Sequence, residues 1–366
     1  MTHRSRSLLR SALLLLAAFA LIVSGCGNGG KDNSASGSKT ESGTAGSKSS
    51  IKQQSYFIFD TIVTVKIYDE RAGDKQFKDI ESILNEIDAS MNRTKDTSEL
   101  AKIRSAAGKE AVQVSQETFD VVAKSIDYAE RTKGRFDPTV GPIVDLWNIG
   151  HENAKVPDPN VLKEKLQLVG YQDVTLNADK REIKLNRAGM ELDMGSIGKG
   201  YAADRIADYL RESGFPSAIV DLGGNIYAVG EKPGGTDWTI GVQDPDTTRG
   251  NQIGKMKVKD KTIVTSGVYE RYFVENGKHY HHILDPDTGY PIENHLSSVT
   301  IVTTSSTDAD ALSTSTFALG LEEGMKFVES DPDVEAIFIT TEHDVYCTSG
   351  IKKIFELTND KYKIVN

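Results

Sequence analysis

Three glycines fall within six residues just where an amphipathic helix begins, and this constrains the chain more than any other stretch. Asp193 to Asp208 reads D-M-G-S-I-G-K-G-Y-A-A-D-R-I-A-D. Ile197, Tyr201, Ile206, Tyr209 and Leu210 recur at helical spacing, Ser196 stands at the N-cap and Gly214 at the stop. Glycine inside a helix costs about 1 kcal/mol relative to alanine, so two of the three glycines need a separate reason. Either a ligand approaches the backbone, as a phosphate does at the free N–H groups of a helix start, or a neighbouring strand packs close against Gly198 and Gly200. The G-x-x-x-x-G-K-[ST] spacing of a P-loop is absent.

The N-terminus carries an address. His3, Arg4, Arg6 and Arg10 precede an apolar run from Ala12 to Val23 that is too short to span a bilayer and reads as a signal peptide over 1–25. Val23-Ser24-Gly25-Cys26 resembles the bacterial lipobox, which makes Cys26 the expected lipidation site. Residues 26–50 then form a Gly/Ser-rich tether with a reach of about 25–30 Å. This places the chain on the extracytoplasmic face of a bacterial cell membrane, held by lipid. The other cysteine, Cys347, lies in an apolar stretch and reads as buried and unpaired. A formal charge of −10 with no basic run beyond the N-terminus argues against nucleic acid.

Past residue 50 helices and strands interleave without repeats, which predicts one large α+β domain over 51–366 with mixed and antiparallel sheets. Ser55–Tyr68 reads as a strand, Phe77–Met91 as a helix, and 116–133 as a helix capped by Ser115 and stopped at Gly134. Gly134–Trp147 reads as a fixed irregular segment. Ala218–Val229 breaks at a Gly-Gly pair, read as a bulge or a close backbone approach. Glu270–Leu284 reads as a hairpin turning at Asn276-Gly277.

Three constellations carry chemistry. Asp310 and Thr314 share a helix face and, with a backbone carbonyl, make an oxygen-rich site suited to Mg²⁺, with Asp308 as the alternative helix cap. His279, His281 and His282 lack the array that zinc demands; one of them suits phosphate contact or proton transfer. Thr265-Ser266-Gly267, at a strand end, either admits a phosphate or forms a tight turn. Neither G-x-S-x-G nor a strand-following G-x-G-x-x-G is present.

Taken together, these stretches resemble the FAD:protein FMN transferases of the ApbE type, from about Tyr56 to Leu357. The carrying motifs are Phe59-Asp60-Thr61, Met91–Leu100, G-R-F-D-P-T-V-G-P at 134–142, Asp193–Asp204, Asp221–Asn225, Thr265–Gly267, His281–Gly289 and Asp308–Thr314. The resemblance implies an ApbE-like fold and a Mg²⁺-dependent transfer of FMN from FAD to a threonine or serine of another flavoprotein, with release of AMP. The acceptor motif it implies, D-x-x-[ST]-G-A-[ST], is absent from this chain, so the acceptor is a separate protein. It further implies metal ligation by Gly198 (backbone oxygen), Asp310 and Thr314. Flavin and adenine contacts would come from Phe59, Thr94, Arg135, Phe136, Asp137, Gly195, Tyr201 and Leu284, with Lys199, Ser266 and His282 at the phosphates. His282 and Asp310 are the candidate catalytic groups. Phe59 stands where the family has methionine, Gly198 where alanine is commoner, and Thr94 where relatives carry tyrosine or asparagine. An FAD pyrophosphatase using the same site, or a lipid-anchored flavin- or solute-binding protein, are the alternatives.

Overall fold

The apolar run from Ser55 to Tyr68 does not continue as one strand but folds back on itself at Phe59-Asp60. The computed structural model describes residues 51–366; the expected signal peptide, Cys26 and the tether lie outside the described residues. Along the chain, β1 (Lys52–Ile58) and β2 (Thr61–Ile67) precede α1 (Asp74–Met91), α2 (Glu99–Ala106), β3 (Val112–Gln113) and α3 (Gln116–Arg131). Then come α4 (Gly141–Trp147), α5 (Pro159–Leu166), β4 (Val174–Asn177), β5 (Glu182–Leu185) and α6 (Gly198–Glu212). Next are β6 (Ser217–Leu222), β7 (Asn225–Gly230), β8 (Trp238–Gln243), β9 (Gln252–Val258) and β10 (Lys261–Gly267). β11 (Tyr272–Glu275), β12 (Lys278–His281), β13 (Leu296–Thr303) and α7 (Ser306–Glu329) follow. The chain closes with β14 (Glu335–Thr340), β15 (Asp344–Cys347), β16 (Phe355–Leu357) and β17 (Lys363–Ile364).

This is the expected α+β architecture. Nine strands form one sheet in the order β1-β2-β6-β7-β10-β13-β14-β15-β17, antiparallel except at β15–β17. Alternation sends its side chains into two cores. Val63, Val65, Val220, Leu222, Val299, Ile301 and Phe338 join the helices' Ile80, Leu84, Val122, Ile206, Leu210 and Phe317. Ala228, Ile263, Val302, Ile337 and Ile339 face the other way, against Trp238, Ile240, Met256 and Phe355 of the smaller sheet β16-β9-β8. Covered on both faces, β13 is buried along its whole length. Cys347 lies in the second core with no disulfide, and burial pushes its thiol up to about 11.

Several expectations change. The Gly223-Gly224 pair is not a bulge but the two-residue turn of the β6–β7 hairpin, both residues at positive φ, and the close approach is at Gly223, where a Cβ would lie 2.2 Å from Thr61 Oγ1. The 134–147 segment ends as a regular short helix, α4, with proline in its first turn. The hairpin at Asn276-Gly277 forms as expected, and Ser115 caps α3 by accepting from the Thr118 N–H. Ser196 does not cap α6; Ile197 precedes its first turn and no side chain of its own caps it.

Candidate active site

The missing cap of α6 is supplied from another helix. The Gly200 N–H donates to Asp310 Oδ2 at 2.9 Å, and Asp310, only 3% exposed, comes from α7. The exchange is mutual. Asp204 of α6 accepts from the Ser306 and Thr307 N–H groups at 2.7 and 2.8 Å and from the Thr307 hydroxyl at 2.6 Å, at the start of α7. Each helix thus uses a carboxylate of the other to satisfy N–H groups that its own turns leave free. Ser305 also caps α7 by accepting from the Asp308 N–H. Asp308, the alternative cap, instead accepts from Lys124 at 2.6 Å and from the Tyr128 hydroxyl at 2.9 Å, tying α3 to α7. Burial works against charge at Asp308, but the Lys124 ammonium wins and its pKa falls below the usual carboxylate value.

The close crossing explains one glycine. A Cβ on Gly200 would lie 2.1 Å from the Ser306 carbonyl oxygen and 2.8 Å from Asp310 Cβ. The neighbour is therefore a helix and not a strand. Gly198 is different: its nearest neighbour would be Met194 Cβ at 4.0 Å, so alanine fits there without strain.

Around Asp310 lies a cluster of oxygen donors. Lys199 Nζ sits 3.3 Å from Asp310 Oδ1 and 3.0 Å from the Gly195 carbonyl, a cation held between two oxygens. Gly195 is itself fixed by its N–H donating to Asp193 Oδ1 at 2.7 Å. On β10 the Ser266 hydroxyl lies 2.8 Å from Ser313 Oγ and 3.3 Å from Thr314 Oγ1. Ser313 spends its proton on the Asp310 carbonyl, so Ser266 donates to Ser313. Lys199 and Gly195 thus gather at the Asp310 carboxylate, while Thr314, one turn further along α7, meets Ser266, which reaches the Asp310 carbonyl through Ser313.

His282 follows β12. Its Nδ1 lies 3.2 Å from the Arg271 carbonyl, which only accepts, so Nδ1 carries the proton and Nε2 keeps its lone pair. Burial, then the charges of Arg271, His281 and Lys199, push its pKa down to about 3. The imidazole is neutral at pH 7, and it feels the Lys199 charge of the Asp310 cluster. His281 is buried too, with Nε2 2.9 Å from the Ile292 carbonyl, and is structural.

The remaining expected contacts divide. The Phe59 carbonyl accepts from Arg271 Nη2 at 3.4 Å, which puts the β1–β2 turn beside the His282 strand. Arg135 reaches Asp285 at 3.4 Å and Asp287 at 3.5 Å, and Leu284 bridges to Pro291 at the neck of the same loop. Thr94 is exposed on the α1–α2 loop, held by the Asn92 side chain. Two of these side chains turn inward. Phe136 is 3% exposed and packs edge-on against Tyr128, so its ring belongs to the core. Asp137 is also buried. Its Oδ1 accepts from the Thr139 N–H and hydroxyl and its Oδ2 from the Tyr171 N–H, so its carboxylate fixes the path of the segment. Tyr201 lies on α6 with its hydroxyl accepting from Arg205, which pairs with Glu117 of α3; among the described residues no hydrogen bond joins it to Asp310 or Lys199.

Arg93 escaped the sequence reading. Mostly buried, it pairs with Asp145 at 2.6 Å and Asp193 at 2.8 Å, tying the Thr94 loop to α4 and to the start of the glycine-rich motif. An arginine in a polar loop carries no signal when its carboxylates lie far away in sequence.

Residues 59–338 match the ApbE family. A relative from Treponema pallidum (strain Nichols), named FAD:protein FMN transferase, is 35% identical over 84% of this chain and 90% of its own. One from Klebsiella pneumoniae (strain 342), with the same name, is 38% identical over 74% of this chain and 83% of its own. Among solved structures, the ApbE protein of Thermotoga maritima superposes with a TM-score of 0.76 at 32% identity, covering 83% of this chain and 99% of its own. The flavin transferase ApbE of Vibrio cholerae gives 0.74 at 29% identity, over 83% and 100%.

Proposed function

The chain belongs to the ApbE family, and on that premise we propose that it transfers the FMN moiety of FAD to a threonine or serine hydroxyl of a separate flavoprotein, releasing AMP. The observation that carries this reading is the buried Asp310 carboxylate, set against the first turn of α6 with Lys199 beside it, and with Thr314, one turn further along α7, meeting the Ser266 hydroxyl. Phosphoryl transfer is mostly positioning and neutralisation of charge, and these groups supply both.

Asp310, Thr314 and the Gly198 carbonyl would hold Mg²⁺. The donor set fits: the groups are hard oxygens, and a cation, the Lys199 ammonium, already sits between the Gly195 carbonyl and Asp310 Oδ1. A single carboxylate suits an ion that completes its shell with substrate phosphate and water. When bound, Mg²⁺ supplies neutralisation of the charge that grows on the pyrophosphate oxygens.

The chain's own residues do the rest. Lys199 and the α6 amide end favour the diphosphate. The acceptor oxygen bonds to the FMN phosphorus as the bond to AMP breaks, and His282 Nε2 takes the hydroxyl proton. In the free protein this nitrogen is a weak base, held down by burial and by Arg271, His281 and Lys199. The negative diphosphate raises its basicity when FAD binds. Asp310, committed to Gly200 and Lys199, is the poorer base, which leaves it the ligand role.

We further propose that the acceptor carries a D-x-x-[ST]-G-A-[ST]-like motif. The enzyme would act from the extracytoplasmic face of the membrane, anchored by lipid at Cys26. The test mixes the full chain in detergent with FAD, Mg²⁺ and a flavoprotein domain bearing such a motif, and reads the acceptor's intact mass. A gain of one FMN moiety less water, lost in EDTA, is the expected result. Free FMN and AMP with an unchanged acceptor would replace this reading with a pyrophosphatase, and intact bound FAD would replace it with a binding protein.

A further inference from the structure

Arg271 stands just ahead of β11 and faces two parts of the site at once. Its carbonyl accepts twice from one residue, from the His282 N–H at 3.1 Å and from His282 Nδ1 at 3.2 Å. Its guanidinium turns the other way, where Nη2 donates to the carbonyls of Phe59 and Asp60, both at 3.4 Å. Those carbonyls belong to a two-residue turn in which a phenylalanine and an aspartate, not glycines, hold φ of 56° and 55°. Side chains rarely adopt that conformation, and such turns persist where surrounding contacts over-determine them. The arginine stem runs close to the Gly150 backbone, where an added Cβ would lie 3.2 Å from Arg271 Cδ.

We propose that Arg271 is a positioning residue for the transfer reaction, locking the Phe59–Asp60 turn and His282 into one fixed register. This rests on the flavin-transfer reading, in which the turn touches the flavin and His282 Nε2 meets the acceptor hydroxyl. A small error in that register separates the proton acceptor from the reacting oxygen, and such errors are costly in rate. Arg271 also acts on His282 through charge. Burial and the charges of Arg271 and Lys199 hold the imidazole neutral, joined by His281 only once that ring is protonated in acid.

The test compares the full chain with Arg271→Gln, which loses fork and charge, and Arg271→Lys, which keeps only the charge. Histidine ¹⁵N NMR of the FAD-free protein, with His282 identified by substitution, reads the tautomer and titration. Steady-state FMN transfer reads kcat and KM. Arg271→Gln is expected to lower kcat/KM by roughly 10- to 100-fold, mainly through kcat, and to raise the His282 titration by roughly half a unit or more. Arg271→Lys is expected to keep the low titration yet lose most of kcat. Both variants transferring FMN as the parent does, with an unmoved His282 titration, would overturn the proposal. So would a loss of thermal stability with neither readout changed. If the parent itself transfers no FMN, the flavin reading fails, while the NMR titration still decides whether Arg271 governs His282.

Discussion

At the residue scale, His282 shows how environment sets a role that residue type alone leaves open. The sequence offered three histidines within four positions, and spacing did not rank them. The structure does: His281 spends Nε2 on the Ile292 carbonyl inside the core, whereas His282 fixes its proton on Nδ1 and leaves Nε2 free. Its pKa is lowered, so the neutral form persists well below the usual value of 6.5, and the acid limb moves down with it. The pH profile of kcat/KM, which reports the free enzyme, should therefore stay flat from about pH 8 to about pH 5 and fall only below that. A limb centred near 6.5 would mean that His282 is not the group involved. At Asp137 the carboxylate is taken up locally, by Thr139 and Tyr171, and sets the path of the 134–142 segment. The motif marks the residue, and the structure shows which of its groups is spent on the loop.

At the scale of elements, the crossing of α6 and α7 is the organising contact. Asp310 caps α6 and Asp204 caps α7, so one short region fixes both helix starts and the carboxylate at the centre of the site. The glycines on either side of Lys199 are then not equivalent. Gly200→Ala should force the helices apart, since its Cβ would meet the Ser306 carbonyl at 2.1 Å, and cost about 1–3 kcal/mol. Gly198→Ala should leave stability unchanged or slightly raised, as its Cβ finds only Met194 at 4.0 Å. Denaturant unfolding of the two variants checks this, and equal losses would contradict the account. Helical spacing, the Ser115 cap and the Asn-Gly hairpin were legible because they are local, whereas α6 is capped by the sequence-distant Asp310 and not by Ser196. The Phe59-Asp60 turn was not, because nothing in that pair marks a left-handed turn; the register of β1 on β2 and the Arg271 contacts impose it. The strand β9 was missed for a related reason. Gln252–Val258 is lysine-bearing on one face and is made a strand by pairing with β8 and β16.

For the whole molecule, a nine-stranded sheet, covered on both faces at its central strands, carries the hairpins at 59–60 and 223–224, and the hairpin at 276–277 forms a separate two-stranded sheet. The α+β class was legible from interleaved periodicities, but the two-core arrangement was not. It depends on which face each of β7, β10, β13 and β14 turns to which partner, and alternation within a single strand does not say. The set of Asp310, Thr314, Ser266, Lys199 and Gly195 was legible through motifs, and the long-range partners Arg93, Asp204 and Arg271 were not. The central claim is that Asp310 at this crossing is indispensable to FMN transfer, and the most direct measurement is the acceptor's intact mass after incubation with the parent chain or with Asp310→Ala. The parent should add one FMN moiety in the presence of Mg²⁺, and the variant should be slowed by at least about 100-fold while remaining folded by circular dichroism. A folded Asp310→Ala chain that flavinylates the acceptor at the parent's rate would contradict the account.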